Sequence, residues 1–125
     1  MLVELLAVFI GGGLGALLRY LATLMSKKIF FSAICGTFIV NIIGCFLIGL
    51  LFGFAVQKAE AFSPTLKLFL TIGLLGGITT FSTLNFEVFE LIKNGKIFAG
   101  ILYMSGSCVI GLICTFLGYY ICSKI

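Results

Sequence analysis

Arg19, Asn41 and the stretch Gly76-Gly77-Ile78-Thr79-Thr80-Phe81-Ser82-Thr83 are where this chain places polar chemistry inside long apolar runs. Polar groups are costly in hydrocarbon, so each is a functional candidate until a simpler role accounts for it. Asn41 carries two N–H donors on one amide, with Thr37, Gly44 and Cys45 on its helical face. It either replaces part of an anion's hydration shell or makes a helix–helix hydrogen bond. Arg19 either snorkels toward head groups or sets a positive potential at the mouth of an anion path. The Gly pair followed by four hydroxyls predicts a third helix broken near the midplane, with freed carbonyls suited to a hard cation. The alternative there is an unbroken helix whose Ser and Thr bond back to the preceding turn. Glu87 and Glu90, close to Lys93, read as an interfacial pair with Lys93 or Lys96.

Other chemistries find little support. The chain has no His, and Cys35, Cys45, Cys108, Cys114 and Cys122 show no C-x-x-C spacing, so they read as small apolar residues and not as soft metal ligands. Gly11-Gly12-Gly13-Leu14-Gly15 has no preceding strand and no acidic residue at the distance a nucleotide site needs. No catalytic residues are assigned, and an enzyme is not expected. The formal net charge of +4 comes mostly from Lys in loops, where head-group contact explains it without nucleic acid.

The elements that position these groups follow from composition. With 62% hydrophobic and 10% charged residues, the 125-residue chain does not read as a water-soluble domain. At ~20 residues per span it has room for four helices and short loops. Breaks at Ser26-Lys27-Lys28, at Gln57 to Lys67 (with Lys58, Glu60 and Pro64) and at Lys93-Asn94-Gly95-Lys96 predict spans of approximately 2–25, 31–56, 68–92 and 97–122. These form one transmembrane domain covering 1–125, a multi-pass protein of the cell membrane. Glu4 in the first turn and the absence of a basic leader predict that the first span is retained, not cleaved as a signal peptide. One membrane side then carries Lys58, Lys67 and Lys124 and the other Lys27, Lys28, Lys93 and Lys96. So small a bias predicts insertion in both orientations and an antiparallel, dual-topology dimer, the one-gene equivalent of an inverted repeat. G-x-x-x-G spacings at Gly11/Gly15, Gly49/Gly53 and Gly73/Gly77 predict close helix packing.

Three stretches carry a family resemblance: Gly12 to Tyr20 (GGLGALLRY), Gly36 to Gly49 (GTFIVNIIGCFLIG) and Gly73 to Thr83 (GLLGGITTFST). In order and in helix, they resemble the signature stretches of the Fluc (CrcB) family of fluoride-specific ion channels. The resemblance covers essentially the whole chain. It implies an antiparallel dimer with two pores, passive fluoride export driven by the membrane potential, and a structural sodium ion at the dimer centre. The sodium ligands implied are the backbone carbonyls of Gly76 and Thr79 from each subunit. Asn41 is expected to face the fluoride path and Arg19 to lie near a vestibule. Ser82 and Thr83, with Tyr103 and Ser107 on the fourth helix, match a hydroxyl track, and Thr37 shares the face of Asn41. In the family the third-helix motif usually runs T-T-F-S-T-F, and both Phe rings offer electropositive edges to fluoride. This chain keeps Phe81 but has Leu84 at the second position, so Leu84 is a pore-lining position and not a fluoride ligand.

Two other functions compete. A proton-coupled exporter like the small multidrug transporters has four spans of similar length but needs a carboxylate midway along the first helix, where this chain has Arg19. Leu84 favours a subunit of a heteromeric fluoride channel, or an accessory subunit that does not transport.

Overall fold

The structure, a computed structural model, describes residues 1–58 and 62–124; Glu60, expected in the second loop, lies outside the described residues. The described elements are α1 (Leu2–Phe30), α2 (Ala33–Gln57), α3 (Pro64–Leu68), a π-helical segment (Phe69–Leu75), α4 (Gly76–Ile78), α5 (Phe81–Lys93) and α6 (Ile97–Ser123). Taken together they form four helical spans long and apolar enough to cross a membrane, the third running from Pro64 to Lys93.

The helix ends differ from the sequence reading for local reasons. α1 continues through Lys27 and Lys28, which are good helix formers, complement the dipole of the last turn and can reach water from there. It stops where Phe31 turns left-handed, at φ 56°. The third span starts earlier than expected because Ser63 caps it: its Oγ accepts the Leu66 N–H at 3.2 Å, and Pro64 occupies the first helical position, where a missing N–H costs nothing. α5 ends in a Schellman turn, with the Lys96 N–H donating to the Leu91 carbonyl at 2.8 Å and the Gly95 N–H to Ile92 at 2.9 Å. Gly95 sits at φ 77° there with open space around it, so only backbone strain opposes a side chain. Gly95→Ala is therefore expected to cost about 1 kcal/mol of folding stability, read by thermal unfolding in detergent, with the fold unchanged.

The core is built from backbone more than from side chains. Val40, Leu75, Leu84 and Val88 are the buried large hydrophobic residues among those described, while glycines line the helix contacts. α1 packs on the first half of the third span, and α2 packs along α6. A Cβ added at Gly11 would lie 2.6 Å from the Phe69 carbonyl oxygen, and one at Gly15 would strike the Leu74 carbonyl. On the other side, a Cβ at Gly49 would strike the Thr115 carbonyl and one at Gly118 the Phe46 carbonyl. Lipid is as apolar as Leu, so helices here associate through such close backbone approach and not through hydrophobic expulsion. The outward faces of α1, α2 and α6 remain apolar, as a bilayer requires.

Candidate ion-conduction site

The third span is interrupted at Thr79 and Thr80, both extended (φ −80°, ψ 151° and φ −151°, ψ 118°), between α4 and α5. The break lies near the middle of the span, fifteen residues from Pro64 and fourteen from Lys93. Asn41 of α2 holds it open. Its Oδ1 accepts the Thr80 N–H at 2.8 Å, and its Nδ2 donates to the Thr80 carbonyl at 3.1 Å. This pairing fixes which end of the amide is nitrogen, uses one of its two N–H groups and leaves the other. Asn41 thus makes the helix–helix hydrogen bonds, with one N–H left over.

The break frees two carbonyls. In a continuous helix the Gly76 carbonyl would accept from the Thr80 N–H and the Thr79 carbonyl from the Thr83 N–H. The first N–H goes to Asn41, and the second goes to the Thr80 hydroxyl at 3.2 Å, which caps α5. That hydroxyl also lies 3.0 Å from the Thr83 hydroxyl and 3.3 Å from the Ser82 hydroxyl. Of the four hydroxyls in this stretch, only that of Thr79 bonds back to the preceding turn, to the Leu75 carbonyl at 2.9 Å. Gly44 makes the approach possible, because a Cβ there would strike the Thr79 methyl.

A cavity of about 610 Å³ opens beside the break. Of the expected site residues it is lined by Asn41, Gly76, Thr79, Phe81, Leu84 and Ser107, together with Gly44, Thr80, Cys45, Thr71 and Thr115. Phe81 is 70% exposed, whereas Leu84 is 4% exposed and forms part of the wall. Ser82 and Thr83 stay in the capping cluster and do not line this cavity. Arg19 is half-buried on α1, also away from it, and makes no ion pair among the described residues.

Thr37 and Tyr103 belong to a second polar cluster that sequence reasoning missed. Glu87 is buried at 8% exposure, not paired with Lys93 or Lys96 at the interface. Its carboxylate accepts the Thr37 hydroxyl at 2.8 Å through Oε1 and the Tyr103 hydroxyl at 2.7 Å through Oε2. The signal was spacing: Thr80, Leu84 and Glu87 recur at four and three residues on one face of α5, and Thr37 lies one turn before Asn41 on α2. Glu90, in contrast, is exposed. Tyr103→Phe and Thr37→Val should each cost about 1–2 kcal/mol of stability, because each leaves one buried oxygen of Glu87 unanswered. The double variant should depart from the sum, since both act through one carboxylate, and thermal unfolding of the set measures it.

The whole chain was then compared with known proteins. The family model described as "CrcB-like protein, Camphor Resistance (CrcB)" matches residues 6–119. The chain belongs to the CrcB-like family. Among similar CrcB-like proteins, one from Flavobacterium psychrophilum named "Fluoride-specific ion channel FluC" is 44% identical over 119 residues, covering 94% of this chain and 95% of that protein. A protein of the same name from Aquifex aeolicus is 41% identical over 114 residues (90% and 91%). One from Staphylococcus saprophyticus named "Fluoride-specific ion channel FluC 2" is 39% identical over 122 residues (98% of each chain). The relatives are named as ion channels and not as enzymes, and with four spanning helices this CrcB-like chain is a multi-pass membrane protein.

Proposed function

We propose that this chain is a subunit of a fluoride-selective ion channel that passively lets cytoplasmic fluoride leave the cell and so lowers its toxicity. The observation that carries the reading is the clamp between Asn41 and Thr80, which fixes an amide donor beside a cavity near the middle of an apolar span. The names of the relatives supply the ion.

A fluoride ion sheds water only where other donors replace it. Asn41 offers its remaining N–H, held rigid because the rest of the amide is engaged. Phe81 offers a ring edge, where the quadrupole is positive, while Ser107 borders the same cavity with its one O–H donated to the Tyr103 carbonyl at 2.7 Å. Leu84 contributes shape only. An inside-negative potential supplies the outward drive, about 2.3 kcal/mol per charge for each 100 mV.

The cavity is open along the side that bears the exposed Phe81, and an inverted second copy supplies the missing wall. The near-even Lys distribution supports that antiparallel homodimer. At its centre the carbonyls of Gly76 and Thr79, freed by the break, fit a structural sodium ion, since they are hard neutral oxygens gathered at one point of the chain. Bound there, sodium would supply a fixed positive charge that ties the two breaks together.

Glu87, a carboxylate buried within a span, is the one feature that favours a proton-coupled exporter instead. Leu84, and the existence of a relative named FluC 2, favour a heteromeric channel. Purified protein in fluoride-loaded liposomes separates the three under a potassium-driven voltage. Fluoride release that is unchanged by imposing or removing a pH gradient supports the channel. Release that follows the pH gradient supports the exporter, and release only after a related subunit is added supports the heteromer.

A further inference from the structure

Asn85 is exposed on α5, one turn beyond Phe81 on the same outward face. Its Nδ2 donates to the Phe81 carbonyl at 2.9 Å, which leaves a second N–H and the Oδ1 of an exposed side chain for other partners. At ~1.5 Å per residue Asn85 lies about 9 Å from the break, within the ~15 Å half-thickness of a hydrocarbon core. An amide facing lipid at that depth is costly, so a polar surface must meet it.

The fold shows which surface is at hand. From the break, α5 runs toward Lys93, whereas Cys45, Thr115 and Thr71 lie on the other side, toward Lys58 and Lys67. Thr115 donates to the Cys45 carbonyl at 3.1 Å, and Cys45 is four residues past the Asn41 that clamps the break. Thr71 and Thr115 form the far end of the 610 Å³ cavity. Because the break sits mid-span, inverting a second copy about it brings that far end to the depth of Asn85.

We infer that Asn85 of one subunit closes the Thr71/Thr115 end of the cavity in an inverted second copy and adds an amide donor to that copy's anion path. Each cavity is then incomplete without its neighbour. The inference rests on the antiparallel fluoride-channel reading and deepens it by assigning a residue outside the stretches that pointed to the family.

Fluoride efflux from liposomes tests it with Asn85→Leu, Asn85→Asp and Asn85→Gln, each first confirmed as a dimer in detergent. Leu removes the donor and suits lipid, Asp keeps the shape but replaces the donor with an acceptor, and Gln keeps the donor. The expected result is at least a ten-fold slower efflux for Leu, a larger loss for Asp, and a rate within three-fold of the wild type for Gln. Wild-type efflux with unchanged rates in Leu and Asp would overturn the inference and leave the channel reading standing. Absence of wild-type efflux would overturn both.

Discussion

Asn41→Asp is expected to abolish fluoride efflux, by at least a hundred-fold, while the protein still assembles and elutes as the wild type does. The substitution keeps the oxygen that accepts the Thr80 N–H but replaces the nitrogen that donates to the Thr80 carbonyl, so two oxygens face each other at about the 3.1 Å of the native pair. A carbonyl left without its donor costs about 1–3 kcal/mol. The effect on transport is larger for a separate reason. Asn41 borders the cavity, and a carboxylate there puts a negative charge where an anion must pass, at several kcal/mol in a low-dielectric surround. Asn41→Ala removes the clamp without adding charge. It should therefore lose stability to a similar extent and keep more flux than Asp; equal flux in the two variants would show that geometry and not charge is what Asn41 provides. Efflux rates and thermal unfolding on the two variants make that comparison.

Gly44→Ala carries the second large effect. Its new methyl would strike Cγ2 of Thr79 while the next nearest atom, Thr79 Cβ, stays at an ordinary 3.7 Å. Something must move, and overpacking of this kind costs about 1–3 kcal/mol. The movement available is separation of α2 from the break, which also pulls Asn41 off Thr80 three residues away, so efflux should fall at least ten-fold. Thr79→Ser deletes only the methyl that is struck and keeps the hydroxyl that bonds Leu75. The double variant Gly44→Ala, Thr79→Ser should recover most of the stability and the flux, a coupling larger than additivity allows. A double variant no better than Gly44→Ala alone would mean that the contact does not set the position of the break.

These two residues also mark what was legible beforehand. The four spans could be read because a bilayer imposes length and composition on each, and the break could be read because Gly76, Gly77 and the hydroxyls after them give the chain alternatives to helical bonding. What holds the break open could not be read. Asn41 and Thr80 are thirty-nine residues apart, and no local pattern says that an amide on one helix will take both backbone groups of a residue on another. Gly44 was legible only as a neighbour on the face of Asn41, and it proved to be room for Thr79. Glu87 was misread for a related reason. Its nearness in sequence to Lys93 suggested an interfacial ion pair, whereas its position one face away from the lysines, together with Thr37 and Tyr103, decided its surroundings. Ser82 and Thr83 were placed on a hydroxyl track by the family resemblance alone, which says nothing of their partners within the chain. A helix that restarts inside an apolar bundle must satisfy its own first N–H groups; the Thr80 hydroxyl does so by accepting the Thr83 N–H, and the Ser82 and Thr83 hydroxyls lie against it.

The glycine contacts explain what fixes these placements. With backbone against backbone at Gly11, Gly15, Gly49 and Gly118, α1 cannot slide on the third span, nor α2 on α6, without collision. The polar cluster at Asn41 and that at Glu87 are therefore held by the same rigid packing, one turn apart along α2. The Ser107 hydroxyl, which borders the cavity with Asn41, donates to the carbonyl of Tyr103 at 2.7 Å, and the Tyr103 hydroxyl in turn donates to Glu87.

The most direct test of the account is electrical. Purified protein fused into a planar bilayer, with sodium fluoride on both sides and a held voltage, should give discrete single-channel currents that reverse at the fluoride equilibrium potential and vanish when chloride replaces fluoride. Fluoride transport measurable in liposomes but without unitary currents, or currents carried equally by chloride, would contradict it.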